Sequence, residues 1–404
     1  MKQFGALLLQ IIVLELILGG GGRFTALGPI SLRMILFASA LAYTCYSIWM
    51  EKKFVLPYLR LVLIFLLVIL LAMSIGFFST ADPRLIFEDI KPLSFFLILP
   101  FFGLTITDKS ILLKISRLVI YGALGMSIIY ILLLVLINTG VIPFKAFYNL
   151  TAPTEEFFYR GELAFFYKGF LFLCIGLIAI YFTKPKYAGI MASVIILAII
   201  LTFTRGFIFA LLLAAFCYFI VQPDAVYIKI SKLAIILLLA LVIGLKGNDL
   251  YAEVSKSIHK SEIKTNFTKE FQPEKLLGNR DFSNNERKKQ FRQVLERTTL
   301  TSLFFGHGFG IGVPVRPIHM EISYLEIFHK QGLIGLLFWA FIFYLLTKKY
   351  FYSRKRTSLA HAFYFGSLFI FFQSLTNQYF NNPIGMSFIL ISLVGLDIIR
   401  KNND

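Results

Sequence analysis

The feature that most restricts the fold of this chain is a series of long apolar segments that recurs over most of its length. Hydrophobic residues make up 58% of the 404 residues, and 45 of them are phenylalanine. Backbone amides in lipid must be hydrogen-bonded within their own element, so apolar runs of about 20 residues predict membrane-spanning helices. The sequence therefore predicts an all-α, polytopic transmembrane helical bundle.

About twelve candidate spans can be delimited, several of them shorter than a full bilayer crossing. They are 4–19, 30–50, 59–78, 91–106, 118–138, 163–182, 187–203, 207–221, 233–245, 333–346, 358–375 and 383–399. This pattern divides the chain into 1–245 with spans one to nine, 246–332 as a large outer loop with short helices, and 333–404 with spans ten to twelve. Long loops in compact proteins are usually functional or disordered, which draws attention to 246–332.

The formal net charge of +18 could suggest a nucleic-acid partner, but the distribution of the basic residues favours a membrane. Lysine and arginine collect in alternate connections such as 52–60, 109–117 and 348–356, as expected for cytoplasmic loops. The opposite connections, 80–90 and 139–162, are acidic or mixed. We therefore expect both termini in the cytoplasm, the large loop on the outer side, a lipid bilayer around the chain, and no nucleic acid.

One arginine of the large loop is a candidate ligand-binding residue. The run Ser-Asn-Asn-Glu at 283–286 reads as a capping box that opens a helix. Helical spacing then predicts an inward face at Arg287, Phe291, Val294 and Leu295. A guanidinium group turned inward needs an anionic partner, which favours a ligand for Arg287. The alternative is a structural ion pair with Glu155 or Glu162.

Three further basic residues lie near the outer surface of the predicted bundle. Arg205 interrupts two apolar runs, and a charge at the membrane edge usually marks a site or an ion pair. Arg160 lies at the outer start of the sixth span, where snorkelling is the alternative, and Lys168 follows within about two helical turns. If Arg160, Arg205 and Arg287 converge, their planar guanidinium groups form a pocket suited to phosphate oxygens.

The stretch before the tenth span concentrates ionisable groups. A glycine-rich turn at 306–312 precedes a helix that we expect to begin at Pro317, a favourable first residue. His319 and Glu321 would then lie in the first turn, where free N–H groups and the helix dipole favour an anion. Gly332 is expected to end this short helix.

Three stretches of the chain carry a resemblance to a known family. They are "TFTRGFIFALLLA", "NNERKKQFRQVLERTTLTSLFFGHGFGIG" and "SYLEIFHKQGLIGLLFW". In their order and in the topology around them, they resemble the signature regions of the O-antigen ligase and polymerase superfamily. The resemblance implies a GT-C-like glycosyltransferase of the bacterial inner membrane, without metal or cofactor and with a periplasmic active site. It implies undecaprenyl-diphosphate-linked glycans as donor and acceptor, with the diphosphate held by Arg205, Arg287 and Arg160. A chain-length regulator and a flippase are further partners that it suggests. With such a substrate, possible contacts to the acceptor or the glycan are Tyr324, His307 and Arg280.

One departure from the family pattern favours a polymerase. Ligases of the superfamily carry a histidine, thought to activate the acceptor hydroxyl, at the position of Glu321, whereas His319 matches a second, less constant histidine. A carboxylate can also act as general base, so Glu321 or His319 is the predicted base. The arginines, with Lys168, would neutralise the departing diphosphate, and direct displacement would invert the anomeric carbon.

Two alternatives remain at the sequence level. One is an O-antigen ligase that transfers polymer to the lipid A core. The other is a flippase or transporter for lipid-linked oligosaccharides, although transporters commonly contain internal repeats and none is evident here.

Overall fold

A computed structural model describes residues 2–23, 26–28, 30–160, 164–222, 280–353 and 356–401, and most of these residues are helical. The helices are α1 (Lys2–Leu18), α2 (Leu32–Trp49), α3 (Leu56–Phe78), α4 (Pro83–Leu93), α5 (Leu99–Thr105), α6 (Lys109–Asn138), α7 (Phe144–Thr151), α8 (Leu171–Thr183), α9 (Ala188–Leu201), α10 (Arg205–Val221), α11 (Arg280–Arg297), α12 (Leu300–Phe305), α13 (Ser323–Phe351), α14 (Ser358–Gln373) and α15 (Pro383–Lys401). Short 3-10 helices occupy Ser94–Ile98, Ala152–Thr154 and Lys168–Phe170. Two small antiparallel hairpins pair β1 (Ala26–Leu27) with β2 (Ile30–Ser31) and β3 (Phe157–Arg160) with β4 (Ala164–Tyr167).

The length and composition of the helices fit a multi-pass membrane protein. Among the described residues, α2, α3, α6, α13 and α15 are long and apolar enough to cross a bilayer, and five shorter helices are also apolar. Large apolar side chains on α3 point away from the protein, with Leu63 61% and Leu67 67% exposed. Such a surface would be unfavourable in water but matches lipid chains. The predicted all-α membrane bundle is confirmed, while the count of about twelve spans and the GT-C-like arrangement stay predictions.

Two predicted spans differ from the helices that form. The predicted span 91–106 is broken, because α4 ends at Leu93 and a 3-10 helix precedes α5. Pro92 lies within α4 and Pro100 at the start of α5, and proline removes a backbone donor at each position. In the predicted span 163–182, the strand β4 and a 3-10 turn precede α8. The predicted span 233–245 lies outside the described residues.

The helices of the bundle pack around a core that is rich in aromatic rings. Helices α6 and α14 both pack along α8, and α10 packs along α14. Between α3 and α13, the ring of Phe96 is fully buried, stacks on Phe65 at 4.3 Å and meets the edge of Trp339 at 6.2 Å. Each of these large side chains buries much apolar surface, and the interlocked rings fix the relative positions of α3 and α13.

Close backbone contacts at glycine position the segment that precedes α13. Gly332 has φ 62° and ψ −159°, which breaks the helical path of α13 as predicted, and a Cβ atom there would lie 2.4 Å from the carbonyl carbon of Phe304. A Cβ atom at Gly76 would lie 2.2 Å from the carbonyl oxygen of Phe309. Glycine at these positions lets the turn 306–310 pack directly on α3 and on the start of α13.

Candidate functional site

The segment 313–322 forms turns and bends rather than a helix. Val313 and Arg316 exchange two backbone hydrogen bonds of 3.1 and 2.9 Å, and α13 begins only at Ser323. The predicted helix start at Pro317 is therefore wrong. The backbone of this segment is satisfied by neighbouring side chains: the N–H of Glu321 donates to Oε1 of Gln290, and the carbonyl of Ile318 accepts from Nζ of Lys330. A helix is not needed here to satisfy these groups.

Helix α11 packs against this irregular segment through a partly polar face. It begins at Arg280, so the predicted capping box at 283–286 lies inside the helix. Gln290 and Val294 are fully buried, whereas Phe291 and Leu295 are each 54% exposed, contrary to the predicted face. The buried face meets two kinds of surface: Val294 packs in an apolar cluster with Val313, Met320 and Leu325, and the glutamine side chains bind backbone N–H groups.

Arg287 belongs to an ion-pair group that we call the open cluster, formed by Arg287, Arg316 and Glu321. Nε of Arg287 lies 2.9 Å from Oε2 of Glu321, and Nη2 of Arg316 donates a 2.8 Å hydrogen bond to Oε1. The three side chains are 30%, 43% and 23% exposed. Two guanidinium groups face one carboxylate, so one positive charge is in excess at a position that solvent and solutes can reach.

The partner of Arg287 differs from both predicted alternatives. Glu155 forms an ion pair with Arg23, and Glu162 lies outside the described residues. Arg316 was not singled out from the sequence, although its position five residues before Glu321 offered a weak signal of charge pairing.

A second group, which we call the closed cluster, consists of Asp89, Glu326 and Lys330. The ammonium group of Lys330 donates to Asp89 at 2.6 Å and to Glu326 at 2.8 Å. The side chains are 3%, 8% and 2% exposed. Charged groups this deeply buried are stable only when they are paired and hydrogen-bonded, and each of these has its partners within the cluster.

Neighbouring segments saturate the remaining acceptors of the closed cluster. The second oxygen of Glu326 accepts from Nδ2 of Asn381 at 2.8 Å and from Gln378. The second oxygen of Asp89 accepts from the N–H of Gly310 at 2.8 Å. Burial raises the pKa of Asp89, and the ammonium group of Lys330 and the N–H of Gly310 act in the opposite direction. The cluster thereby joins α4, the glycine-rich turn, α13 and the turn before α15.

His319 lies next to the closed cluster. Its Nδ1 atom is 3.4 Å from Oε1 of Glu326 and 3.7 Å from Oδ1 of Asp89, and its side chain is 44% exposed. Glu321 of the open cluster follows two residues later on the same irregular segment. One edge of the imidazole ring therefore faces buried carboxylates while the rest of the ring reaches the surface.

The carboxylates of the closed cluster could in principle hold a cation together with His319. Ligand atoms of Asp89, His319 and Glu326 lie within 4.8 Å of one another. The ammonium group of Lys330, however, is bonded to both carboxylates at 2.6 and 2.8 Å, which is the position a metal ion would need. The positive charge at this point is thus supplied by the chain itself.

Arg205 lies near the turn that carries Asn381. It is the first residue of α10, and its neighbour Gly206 packs so closely that a Cβ atom there would lie 2.8 Å from Oγ1 of Thr376. The hydroxyl of Ser323, at the start of α13, donates to Asn381 of the same turn at 2.8 Å. Arg205 and the closed cluster therefore lie at the same end of the bundle.

The convergence of Arg160, Arg205 and Arg287 on one ligand stays a prediction. Arg160 ends β3, paired in register with Ala164, and Arg280 is the first residue of α11. The side chains of Arg160 and Arg280 lie outside the described part of the structure. Lys168 is the first residue of the short 3-10 helix that follows β4, rather than lying within the predicted α-helical span, and its ammonium group is 5.9 Å from the ring centroid of Phe158.

Two predicted glycan contacts have roles in packing. The hydroxyl of Tyr324 donates to the carbonyl of Phe371 at 3.1 Å, which ties α13 to α14. The ring of His307 lies 4.6 Å from that of His329. Burial lowers the pKa of His307, with a further contribution from Arg297. Contact of Tyr324 or His307 with a glycan stays a prediction.

Comparison with known proteins gives two matches. A family model described as O-antigen ligase matches residues 190–340, a range that contains Arg205, His319 and the open cluster. An O-antigen polymerase of Shigella flexneri is 28% identical over 420 residues, which cover 100% of this chain and 97% of that protein.

Proposed function

We propose that this chain, which is similar to proteins of the O-antigen ligase and polymerase superfamily, polymerises undecaprenyl-diphosphate-linked oligosaccharide repeats of an O-antigen or a related surface polysaccharide. The reaction would take place at the periplasmic face of the bacterial inner membrane. The observation that carries the proposal is the open cluster beside His319, in a chain that matches an O-antigen polymerase along its full length.

On the donor side of the proposed reaction, the excess positive charge of the site would stabilise the leaving group. The bond between the anomeric carbon and the diphosphate breaks as the acceptor attacks, and negative charge grows on the departing phosphate oxygens. Guanidinium groups bind such oxygens in a planar, bidentate manner and stabilise that charge. Arg287 and Arg205 would do so, with Arg160 and Lys168 as further candidates.

On the acceptor side, the geometry favours His319 over Glu321 as the general base. Both oxygens of Glu321 face guanidinium groups, so neither is directed at a substrate hydroxyl. His319 directs Nδ1 towards Glu326 and Asp89, so Nε2 is the ring nitrogen that a sugar hydroxyl could reach. The two carboxylates would stabilise the imidazolium ion that forms when the proton is transferred, in the manner of a catalytic triad.

The complete step then needs no metal ion or cofactor. The acceptor hydroxyl attacks the anomeric carbon, His319 takes its proton, and the diphosphate leaves with the bonding electron pair. Diphosphate is a good leaving group, so positioning and charge stabilisation would supply most of the rate. A single displacement inverts the anomeric configuration.

An O-antigen ligase is the second candidate. The family model that matches residues 190–340 is described as O-antigen ligase, and this range includes the residues to which we assign donor binding and base catalysis. Both reactions would share donor chemistry and differ in whether the acceptor is a lipid-linked repeat or the lipid A core.

Reconstitution of the purified chain in nanodiscs with a lipid-linked repeat tests the proposal. We expect a ladder of lipid-linked products, each longer by one repeat. Transfer to lipid A core without a ladder would instead identify a ligase, and movement of the donor across vesicles without elongation would identify a transporter.

Substitution of the proposed base gives the most direct test of the mechanism. We expect His319→Gln to slow elongation by about 10²- to 10⁴-fold, because general base catalysis contributes that much. His361→Gln is the matched control, since His361 lies near the start of α14 and its Nδ1 bonds the hydroxyl of Tyr350 at 2.7 Å. If His319→Gln retains the wild-type rate, His319 is not the base.

A further inference from the structure

The open cluster contains hydrogen-bond donors that its carboxylate does not satisfy. The Nε atoms of Arg287 and Arg316 are both inaccessible to solvent, and neither has a hydrogen-bond partner among the described residues. Arg287 lies 2.9 Å from Glu321, but this contact is an ion pair without the alignment of a hydrogen bond. Buried donors without acceptors are costly, so a group with more acceptor oxygens than a carboxylate would fit here better.

We propose that Arg287 and Arg316 form a phosphate-binding site in which the carboxylate of Glu321 is an internal, exchangeable anion. A phosphate group of the donor would replace this carboxylate between the two guanidinium groups. The inference adds Arg316 to the site and assigns Glu321 a role other than base; its identification of the ligand as a lipid-linked diphosphate rests on the proposed function.

The charges of the cluster favour this exchange. With Glu321 in place, the cluster carries one positive charge in excess, and with the side chain turned away it presents two positive charges. The diphosphate of a lipid-linked glycan offers four non-bridging acceptor oxygens and two negative charges, whereas a carboxylate offers two oxygens and one charge, and guanidinium groups bind such oxygens bidentately. Its oxygens can therefore reach the Nε donors that Glu321 leaves unsatisfied.

The local backbone allows Glu321 to leave without unfolding an element. Glu321 lies on the irregular segment before α13, and its own N–H donates to Oε1 of Gln290 of α11 at 3.0 Å. Rotation of the side chain alone would release the two arginines while the backbone stays fixed. The cost of binding a phosphate group is then limited to breaking a partly exposed ion pair, which is small.

Binding of inorganic pyrophosphate to the full-length chain in phosphatidylcholine nanodiscs tests this exchange. We expect Glu321→Gln to bind pyrophosphate about tenfold more tightly than the wild type, because the competing charge is removed. The double variant Glu321→Gln, Arg316→Ala should lose about tenfold relative to Glu321→Gln. Glu296→Gln is the matched control, since Glu296 pairs with Arg292 at 2.7 Å on the exposed side of α11, and its affinity should equal that of the wild type.

Unchanged affinity in Glu321→Gln, or an equal gain in Glu296→Gln, would overturn the proposal. Nanodiscs that contain phosphatidylglycerol separate the two sources of phosphate: if this lipid abolishes pyrophosphate binding, the site is a phospholipid headgroup site and the donor assignment is wrong. The outcome is independent of catalysis. If Glu321→Gln binds pyrophosphate more tightly but the wild type does not elongate the donor, the phosphate site is supported and the polymerase proposal is rejected. If the wild type elongates the donor but Glu321→Gln binds pyrophosphate no more tightly, the polymerase proposal is supported and the phosphate site is rejected.

Discussion

The closed and open clusters are near inversions of each other in charge. The closed cluster joins two carboxylates to one ammonium group, with side chains 2% to 8% exposed. The open cluster joins two guanidinium groups to one carboxylate, with side chains 23% to 43% exposed. The same type of ion pair therefore has different consequences at the two places. Where it is buried, a missing partner would be costly, and where it is partly exposed, a partner can be exchanged.

The largest expected effect comes from removing the cation of the closed cluster. Lys330→Met leaves two buried carboxylates without their counter-ion, and loss of one partner of a buried pair typically costs about 3 to 5 kcal/mol. We expect a corresponding loss in the free energy of unfolding, visible as a lower melting temperature of the purified protein in detergent.

A charge-matched variant separates pairing from packing. Lys330→Met combined with Asp89→Asn and Glu326→Gln removes all three charges of the closed cluster, and it should recover most of the stability that Lys330→Met loses. If the triple variant is as unstable as the single one, the cluster contributes through shape rather than through charge.

The open cluster should respond in ligand binding rather than in stability. Arg316→Ala removes a partly exposed ion pair, worth about 0 to 1 kcal/mol, so the melting temperature should change little. The KM for the lipid-linked donor should rise about tenfold, since a charge-assisted hydrogen bond to phosphate is lost. Arg292→Ala, on the exposed side of α11, is the matched control. A KM change of equal size in both variants would show that the effect is only general electrostatics.

The smallest expected effect is that of a chelator. Lys330 already occupies the position between the two carboxylates that could otherwise hold a cation. In the proposed step the guanidinium groups, not a metal ion, stabilise the leaving group. Elongation by the purified protein should therefore continue at its original rate after treatment with EDTA. A loss of activity that added divalent cations restore would contradict the metal-independent step and reopen the assignment of the closed cluster.

The sequence was informative where a property depends on neighbouring residues. The apolar segments predict the helical membrane bundle because transfer into lipid depends on the hydropathy of each segment. The break at Gly332 follows from the conformational freedom of glycine. His319 and Glu321 were singled out because charged residues directly before a span are unusual, and Arg287 because helical spacing placed it on the inward face of a predicted helix. Arg316 was overlooked, although it lies on the same stretch.

Only the tertiary structure decided which charges meet. Asp89 and Lys330 are 241 residues apart, and no local pattern links them. The expected helix at Pro317 does not form, because side chains of Gln290 and Lys330 satisfy the backbone of that segment. Hydropathy and helix spacing are local, whereas the pairing of buried charges depends on which helices pack together. The sequence therefore determined the bundle and the neighbourhood of the site, and the packing of α4, α11 and α13 determined its charge arrangement.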